Sequence, residues 1–214
     1  MMNTITAVLF DLDGTLLDTR EFVFQAFEHA LSARGFPVSP REELALLVGR
    51  PLPDTYKQLT KTVGEELLLL TEAHHEFQTK HYDLSAPFPG AEETLRALKE
   101  KGLKLGVVTN RYSRTAMPVL RDAGLLPLLA SIVCFDQTEK AKPDPLHPLQ
   151  ALTALNELPQ SAAMVGDSHF DIAAGRDAGM RTVFARYGFH HTLPKGLVPD
   201  ATIDDIRDIL TLIG

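Results

Sequence analysis

The stretch Ala7–Thr19, AVLFDLDGTLLDT, runs an apolar segment straight into three acids, Asp11, Asp13 and Asp18. A short apolar run that stops abruptly at polar residues and glycine reads as a buried strand rather than a helix. Carboxylates crowded at the end of such a strand repel one another and lose hydration, so something must compensate them. Gly14 lets the chain turn sharply there, so that backbone N–H groups face outward from the strand end.

Further short runs rich in Val, Ile or Phe repeat the pattern: Leu103–Val108, Ser131–Phe135, Ala162–Val165, Thr182–Ala185 and the weaker Ala201–Ile203, with the first extending over Thr6–Phe10. Helical stretches lie between them, at Ala91–Lys101, Ser113–Ala123, Pro145–Leu155, Ile172–Ala178 and Ile206–Leu212. This alternation predicts an α/β fold, a doubly wound parallel sheet. Residues 19–87 break the alternation and read as helices throughout. In EFVFQAFEHALSARG, Val23, Phe27, Ala30 and Leu31 share a face and Gly35 is placed as a C-cap. Further helices are expected over Arg41–Leu47, Asp54–Thr62 and Glu65–Tyr82. The expected organisation is a core of residues 1–18 and 88–214 with a helical cap of residues 19–87 inserted.

Composition narrows the function classes. The chain has 214 residues, 44% hydrophobic and 23% charged, enough for one sizeable core with an insertion. A net charge of -7 and the absence of a Lys/Arg run give no footprint for nucleic acid or an anionic membrane. No apolar run approaches the roughly 20 residues of a membrane span, and the N-terminus enters the strand pattern without a basic, then apolar, leader. A cytoplasmic location is expected. The single cysteine, Cys134, lies in the apolar run SIVCF and reads as a buried, inert thiol.

Open α/β sheets bind ligands beyond the carboxyl ends of their strands. The first expected strand is followed by Asp11-Leu12-Asp13-Gly14-Thr15 and the second by Thr109-Asn110. A loop holding Lys142-Pro143 comes after the third, and Gly166-Asp167-Ser168-His169-Phe170-Asp171 after the fourth. This set suits phosphoryl transfer through an aspartyl-phosphate. Asp11 would be the nucleophile, and Asp13 would protonate the departing oxygen and then activate water. Repulsion between a carboxylate and a phosphate is of order 4 kcal/mol per pair of unit charges at 4 Å with an effective dielectric near 20. A Mg²⁺ ion held by Asp11, Asp167 and the backbone carbonyl of Asp13 would cancel it, with Asp171 binding through water or orienting the other ligands. Lys142 would pair with the nucleophile and a phosphate oxygen, while Thr109 and the N–H groups that follow it would bind the remaining oxygens.

The motifs DLDGTLLDT, VVTN, AKPDP and GDSHFDIAAGRDAG, in this order over nearly the whole chain, resemble those of the haloacid dehalogenase superfamily. The likeness is to its phosphatases with a helical cap after the first motif, and within those to the phosphoglycolate phosphatase group with its pyrophosphatase-like relatives. The resemblance implies a Rossmann-like core and the same roles for Asp11, Asp13, Thr109, Lys142, Asp167 and Asp171. Asp13 separates the chain from the true dehalogenases, which lack an acid there. Thr19 stands where many members have Ser, and Asn110-Arg111-Tyr112 where phosphoglycolate phosphatases often have Asn-Lys.

Other residues read differently. Gly49-Arg50-Pro51 places a long bidentate donor beside a flexible glycine, so Arg50, with Gly14 and Asn110, is a candidate substrate contact. His74, His75 and His81 with Glu76 are expected on a solvated helix face, His190-His191 in a surface loop, and Leu67–Leu70 in cap packing. The expected activity is Mg²⁺-dependent hydrolysis of a small-molecule phosphate ester, led by 2-phosphoglycolate, by a monomer or homodimer. The alternatives are a pyrophosphatase, a sugar-phosphate phosphatase or a β-phosphoglucomutase-like enzyme. A receiver-like phosphate sensor also uses an aspartate, a hydroxyl and a lysine around Mg²⁺, but Asp13 and the cap favour turnover over sensing.

Overall fold

A computed structural model describes residues 4–213. Strand β1 (Ala7–Phe10) is buried along its whole length. Two-residue strands β2 (Leu17–Asp18) and β3 (Ala86–Pro87) pair antiparallel where the chain leaves the sheet and returns to it. Between them lie helices α1 (Arg20–Ala33), α2 (Arg41–Ala45), α3 (Leu52–Thr60) and α4 (Glu65–Gln78). Then follow α5 (Ala91–Glu100), β4 (Lys104–Val108), α6 (Ser113–Asp122), β5 (Ser131–Val133) and α7 (Leu146–Leu155). The chain finishes with β6 (Ala162–Gly166), α8 (His169–Asp177), β7 (Arg181–Ala185), β8 (Ala201–Ile203) and α9 (Ile209–Leu212).

The main sheet has the order β5-β4-β1-β6-β7-β8, and every neighbouring pair is parallel. Central β1 registers Phe10 against Val107 of β4 and Val165 of β6. From β1 the chain winds outward through β4 and β5, then jumps back beside β1 to start β6. The β1/β6 boundary is therefore the topological switch point, where loops diverge to opposite faces and leave a crevice. Asp11 and Asp167 stand on its two sides.

Tertiary contacts shift several boundaries. Helix α8 starts at His169 rather than Ile172, because Ser168 and Asp171 form a reciprocal capping box. Strand β5 stops at Val133, and the chain tightens into a short 3-10 turn at Phe135–Gln137, where the Gln137 side chain accepts the Cys134 N–H at 3.0 Å. Helix α4 ends at Gln78, before the expected Tyr82. Helix α3 stops at Lys61, which adopts a left-handed φ of 60°.

The inserted helices have their own packed interior, chiefly α1 against α4. Phe27, Tyr56 and His74 meet there edge to face, with ring centroids 5.4 Å (Phe27–Tyr56) and 4.7 Å (Phe27–His74) apart. The Tyr56 hydroxyl bonds His74 Nδ1 at 2.8 Å. This corrects the expectation of a solvated face: His74 and His75 are both buried, because α4 turns that side toward α1 and the strand ends. His81 does stack on Phe77, at 4.2 Å, but is half-buried. In the leucine run Leu70 packs inside, while Leu68 and Leu69 are exposed.

Candidate active site

At the centre of the strand ends lies Lys142, 1% exposed. Its Nζ donates to Asp11 Oδ1 at 2.7 Å, to Asp171 Oδ1 at 2.6 Å and to the Val108 carbonyl at 2.6 Å. All three ammonium hydrogens have acceptors, so the side chain is fixed. Its loop is fixed too: the Lys142 N–H donates to Asn110 Oδ1 at 3.1 Å and to His147 Nδ1 at 3.3 Å, and His147 Nε2 meets the Val133 carbonyl at 3.1 Å. With Nδ1 accepting, Nε2 carries the proton. Burial, together with the charge of Lys142, pushes His147 down to about 3.

Asp11, Asp167 and Asp171 each offer a carboxylate oxygen within 4.8 Å of the others, all buried. Burial raises Asp11 to about 7 against the opposing pull of Lys142. Burial and the other two carboxylates hold Asp167 well above the ordinary range. Burial alone would lower Lys142, but Asp11 and Asp171 outweigh it and raise the ammonium to about 12. Three buried carboxylates thus face one buried ammonium. An all-oxygen donor set with an excess of negative charge fits a hard divalent cation.

Gly14 has φ +82°, and a Cβ there would lie 2.3 Å from Asp167 Oδ2. Its lack of a side chain is what lets Asp167 approach the first loop. On the far side, the Phe189 N–H donates to the same Oδ2 at 2.6 Å. Asp171 is held at both oxygens, by Lys142 at Oδ1 and by the Ser168 N–H (3.0 Å) and hydroxyl (2.5 Å) at Oδ2. It therefore serves as the anchor of Lys142 and of the α8 N-terminus. Thr109, buried at the end of β4, accepts the Arg111 N–H at 3.1 Å.

A cavity of about 70 Å³ opens in front of these groups, lined by Asp11, Asp13, Thr109 and Arg111 from the strand ends and by Arg50 and His75 from the inserted helices and their loops. The Asn110 amide nitrogen donates to the carbonyls of Gly49 (2.8 Å) and Lys142 (2.9 Å), so its side chain ties the Arg50 loop to the lysine loop. Arg50 rests over the Phe170 ring at 5.7 Å, with its buried Nε free of any protein partner among the described residues.

Residues 8–185 match the family model of the haloacid dehalogenase-like hydrolases. The chain belongs to this family. Relatives include pyrophosphatase PpaX of Oceanobacillus iheyensis, 31% identical and covering 99% of this chain and 98% of that protein. Pyrophosphatase PpaX of Bacillus cereus is 34% identical over 98% of this chain and 97% of its own length. A solved structure, of a predicted phosphoglycolate phosphatase from Haemophilus somnus, superimposes with a TM-score of 0.87 at 26% identity, each chain fully covered. The family assignment makes this chain a hydrolase of the phosphatase type. Among its described residues no helix is long and apolar enough to cross a membrane.

Set beside the family motifs, two features of this dehalogenase-like hydrolase escape sequence reading. Arg111 pairs with Asp13 through Nε–Oδ2 at 2.9 Å and Nη2–Oδ1 at 2.5 Å, in a side chain only 5% exposed. His75 lies 4.6 Å from the Tyr112 ring and touches Arg114, which also pairs with Glu72 at 2.8 Å. Burial, with Arg114 adding to it, lowers His75 to about 4. An arginine two residues past the Thr109 strand end was the available signal, but its partner, 98 positions away, was not. His190, expected in a surface loop, is half-buried and meets the Val48 carbonyl at 3.0 Å, whereas its neighbour His191 is exposed.

Proposed function

We propose that the chain is a Mg²⁺-dependent phosphatase that cleaves a small phosphorylated metabolite through an aspartyl-phosphate. The observation that carries this reading is the convergence of Asp11, Asp13, Thr109 and Arg111 on one small cavity, with Lys142 locked behind Asp11. Lys142 fixes one oxygen of Asp11, so the other is free to attack phosphorus as the bond to the leaving oxygen breaks. Asp13, held by Arg111 at both oxygens, must give up one of those two bonds to carry a proton there, and it gives that proton to the leaving oxygen. It then takes a proton from the water that attacks the acyl-phosphate, releasing phosphate and restoring the Asp11 carboxylate. The Thr109 hydroxyl and the N–H groups of Leu12 and Asp13 hold the phosphate oxygens, whereas the Gly14 N–H is taken by the Leu17 carbonyl at 2.9 Å and Gly14 serves to shape the turn. Asp11, Asp167 and the Asp13 carbonyl would hold the Mg²⁺ ion, with Asp171 behind them. When bound, the ion supplies positive charge between the nucleophile and the phosphate.

Residues 19–87 act in this reading as a cap on a core of residues 1–18 and 88–214, excluding bulk water and limiting the substrate to compact molecules. A cytoplasmic setting agrees with the lone thiol, buried and pushed up to about 12. Among substrates, inorganic pyrophosphate is favoured by relatives of that name aligned over almost the full chain. The second reading is 2-phosphoglycolate, favoured by the named structural neighbour. Both carry a second anion, which suits a cavity lined by Arg50 and Arg111.

Phosphate release from pyrophosphate, 2-phosphoglycolate, sugar phosphates and nucleotides, with Mg²⁺ and with EDTA, tests the reading. Mg²⁺-dependent turnover of pyrophosphate, 2-phosphoglycolate or both is the expected result. No turnover of any of them would refute it, and equal turnover of all would withdraw the substrate assignment alone.

A further inference from the structure

Arg111 is buried yet only half used. A guanidinium has five N–H donors arranged as two forks. The side fork, Nε with Nη2, is taken by the two oxygens of Asp13. Nη1 is buried with no partner among the described residues, although Arg111 lines the cavity. A buried donor left unpaired is destabilising, more so when charged, so its presence beside the cavity calls for an acceptor. The central carbon of the group also lies 4.6 Å from the centroid of the Phe22 ring, a cation–π contact that adds to the Asp13 pair in holding the side chain. With the side fork committed to Asp13, the end fork, Nη1 with the second Nη2 hydrogen, is what Arg111 has left to offer the cavity it lines, and a fork of this kind receives two oxygens of a carboxylate or phosphate.

We propose that Arg111 bridges Asp13 and an anionic group on the leaving side of the substrate. One fork keeps the acid–base carboxylate in place while the other reads the charge on the group about to depart. The substrate class follows: a phosphate joined to a second oxyanion, as in a diphosphate or a phosphorylated hydroxy acid, rather than an ester of an uncharged alcohol. The proposal rests on the phosphatase reading of the same cavity and deepens it to a specificity-determining residue. Arg111 is suited to this where a lysine is not, because a single ammonium cannot present two parallel pairs of donors.

Calorimetric titration of the Mg²⁺-loaded protein with methylenediphosphonate, a diphosphate that cannot be hydrolysed, and with orthophosphate tests it in the unmodified chain, Arg111→Gln and Arg111→Lys. The expected result is loss of diphosphonate affinity on the order of 10- to 100-fold in Arg111→Gln, with orthophosphate, which needs only the inner subsite, changed less than about threefold. Arg111→Lys keeps a charge beside Asp13 and is expected to lose most of the same discrimination, and it decides the question if Arg111→Gln fails to fold. Equal weakening of both ligands would reduce Arg111 to a support for Asp13, and unchanged binding would remove it from the site. Either outcome overturns the bridge while leaving the phosphatase reading intact. If the unmodified chain binds neither ligand, both fall together.

Discussion

Gly14 has no tolerance for a side chain: φ is +82°, and a Cβ would sit 2.3 Å from Asp167 Oδ2 and 2.7 Å from the Phe189 ring. Gly14→Ala must either distort the loop that carries Asp13 or displace Asp167. Displacements of about 1 Å near reacting groups cost on the order of 100-fold in rate, so steady-state kinetics should show kcat/KM down by about that factor in a protein that remains folded. Activity within a few-fold of the parent would mean that Asp167 and the first loop are not coupled as described. At this scale Asp11 and Asp167 were legible because each directly follows a strand, and Asp13 and Lys142 because they lie in the loops that leave strand ends. Their hydrogen-bond partners were not. Asp171 reads as a group that binds the ion through water or orients the other ligands; its contacts with Lys142 and Ser168, which a sequence does not show, suit the orienting role. Asn110 reads as a substrate contact, yet its amide joins two loops, at Gly49 and Lys142.

The inserted helices show how far periodicity reaches. Val23, Phe27, Ala30 and Leu31 lie on one face of α1 as their spacing requires, and all are buried. Two adjacent histidines carry no such pattern. His74 is buried only because Tyr56, on α3, reaches it from another helix. Burial holds His74 well below its ordinary value and Tyr56 well above, so both remain neutral and depend on each other for hydrogen bonding. Tyr56→Phe removes the hydroxyl and leaves Nδ1 unpaired in an apolar surround. Chemical denaturation should show a loss of about 1–3 kcal/mol. A change below about 0.5 kcal/mol would mean that the pair contributes nothing to cap packing. By contrast, the exposed Arg114–Glu72 pair joining α6 to α4 is expected to contribute less than about 1 kcal/mol.

Across the whole molecule, the switch point between β1 and β6 explains why residues from distant parts of the chain form one site. The six strands and the doubly wound parallel class were legible, because apolar runs alternate with helical stretches along most of the chain, but the order β5-β4-β1-β6-β7-β8 was not, since pairing between distant runs leaves no local signal. Nor was the β2–β3 ribbon, since two residues in each strand give no periodic signal. The fold also sets an acid limit. The His147 imidazole has its pKa at about 3 in the folded chain and near 6.5 when unfolded, so between those values the unfolded state binds more protons. Stability therefore falls as pH drops from about 6.5 toward 3. His75, at about 4, adds to this, while Asp11, raised to about 7, opposes it by taking up its proton first in the folded state. His147→Gln can keep both hydrogen bonds without titrating. Its urea-derived stability should change less between pH 6.5 and 4 than that of the parent chain. An identical pH dependence would show that His147 is not the buried neutral group described.

The central claim is that Asp11 carries the phosphoryl group. Rapid acid quench of the Mg²⁺-loaded protein during turnover, followed by mass spectrometry of its peptides, tests this most directly. One added phosphoryl group is expected on the peptide containing Asp11, absent in Asp11→Asn together with all but a trace of turnover. Turnover with no phosphorylated Asp11, or activity retained by Asp11→Asn, would contradict it.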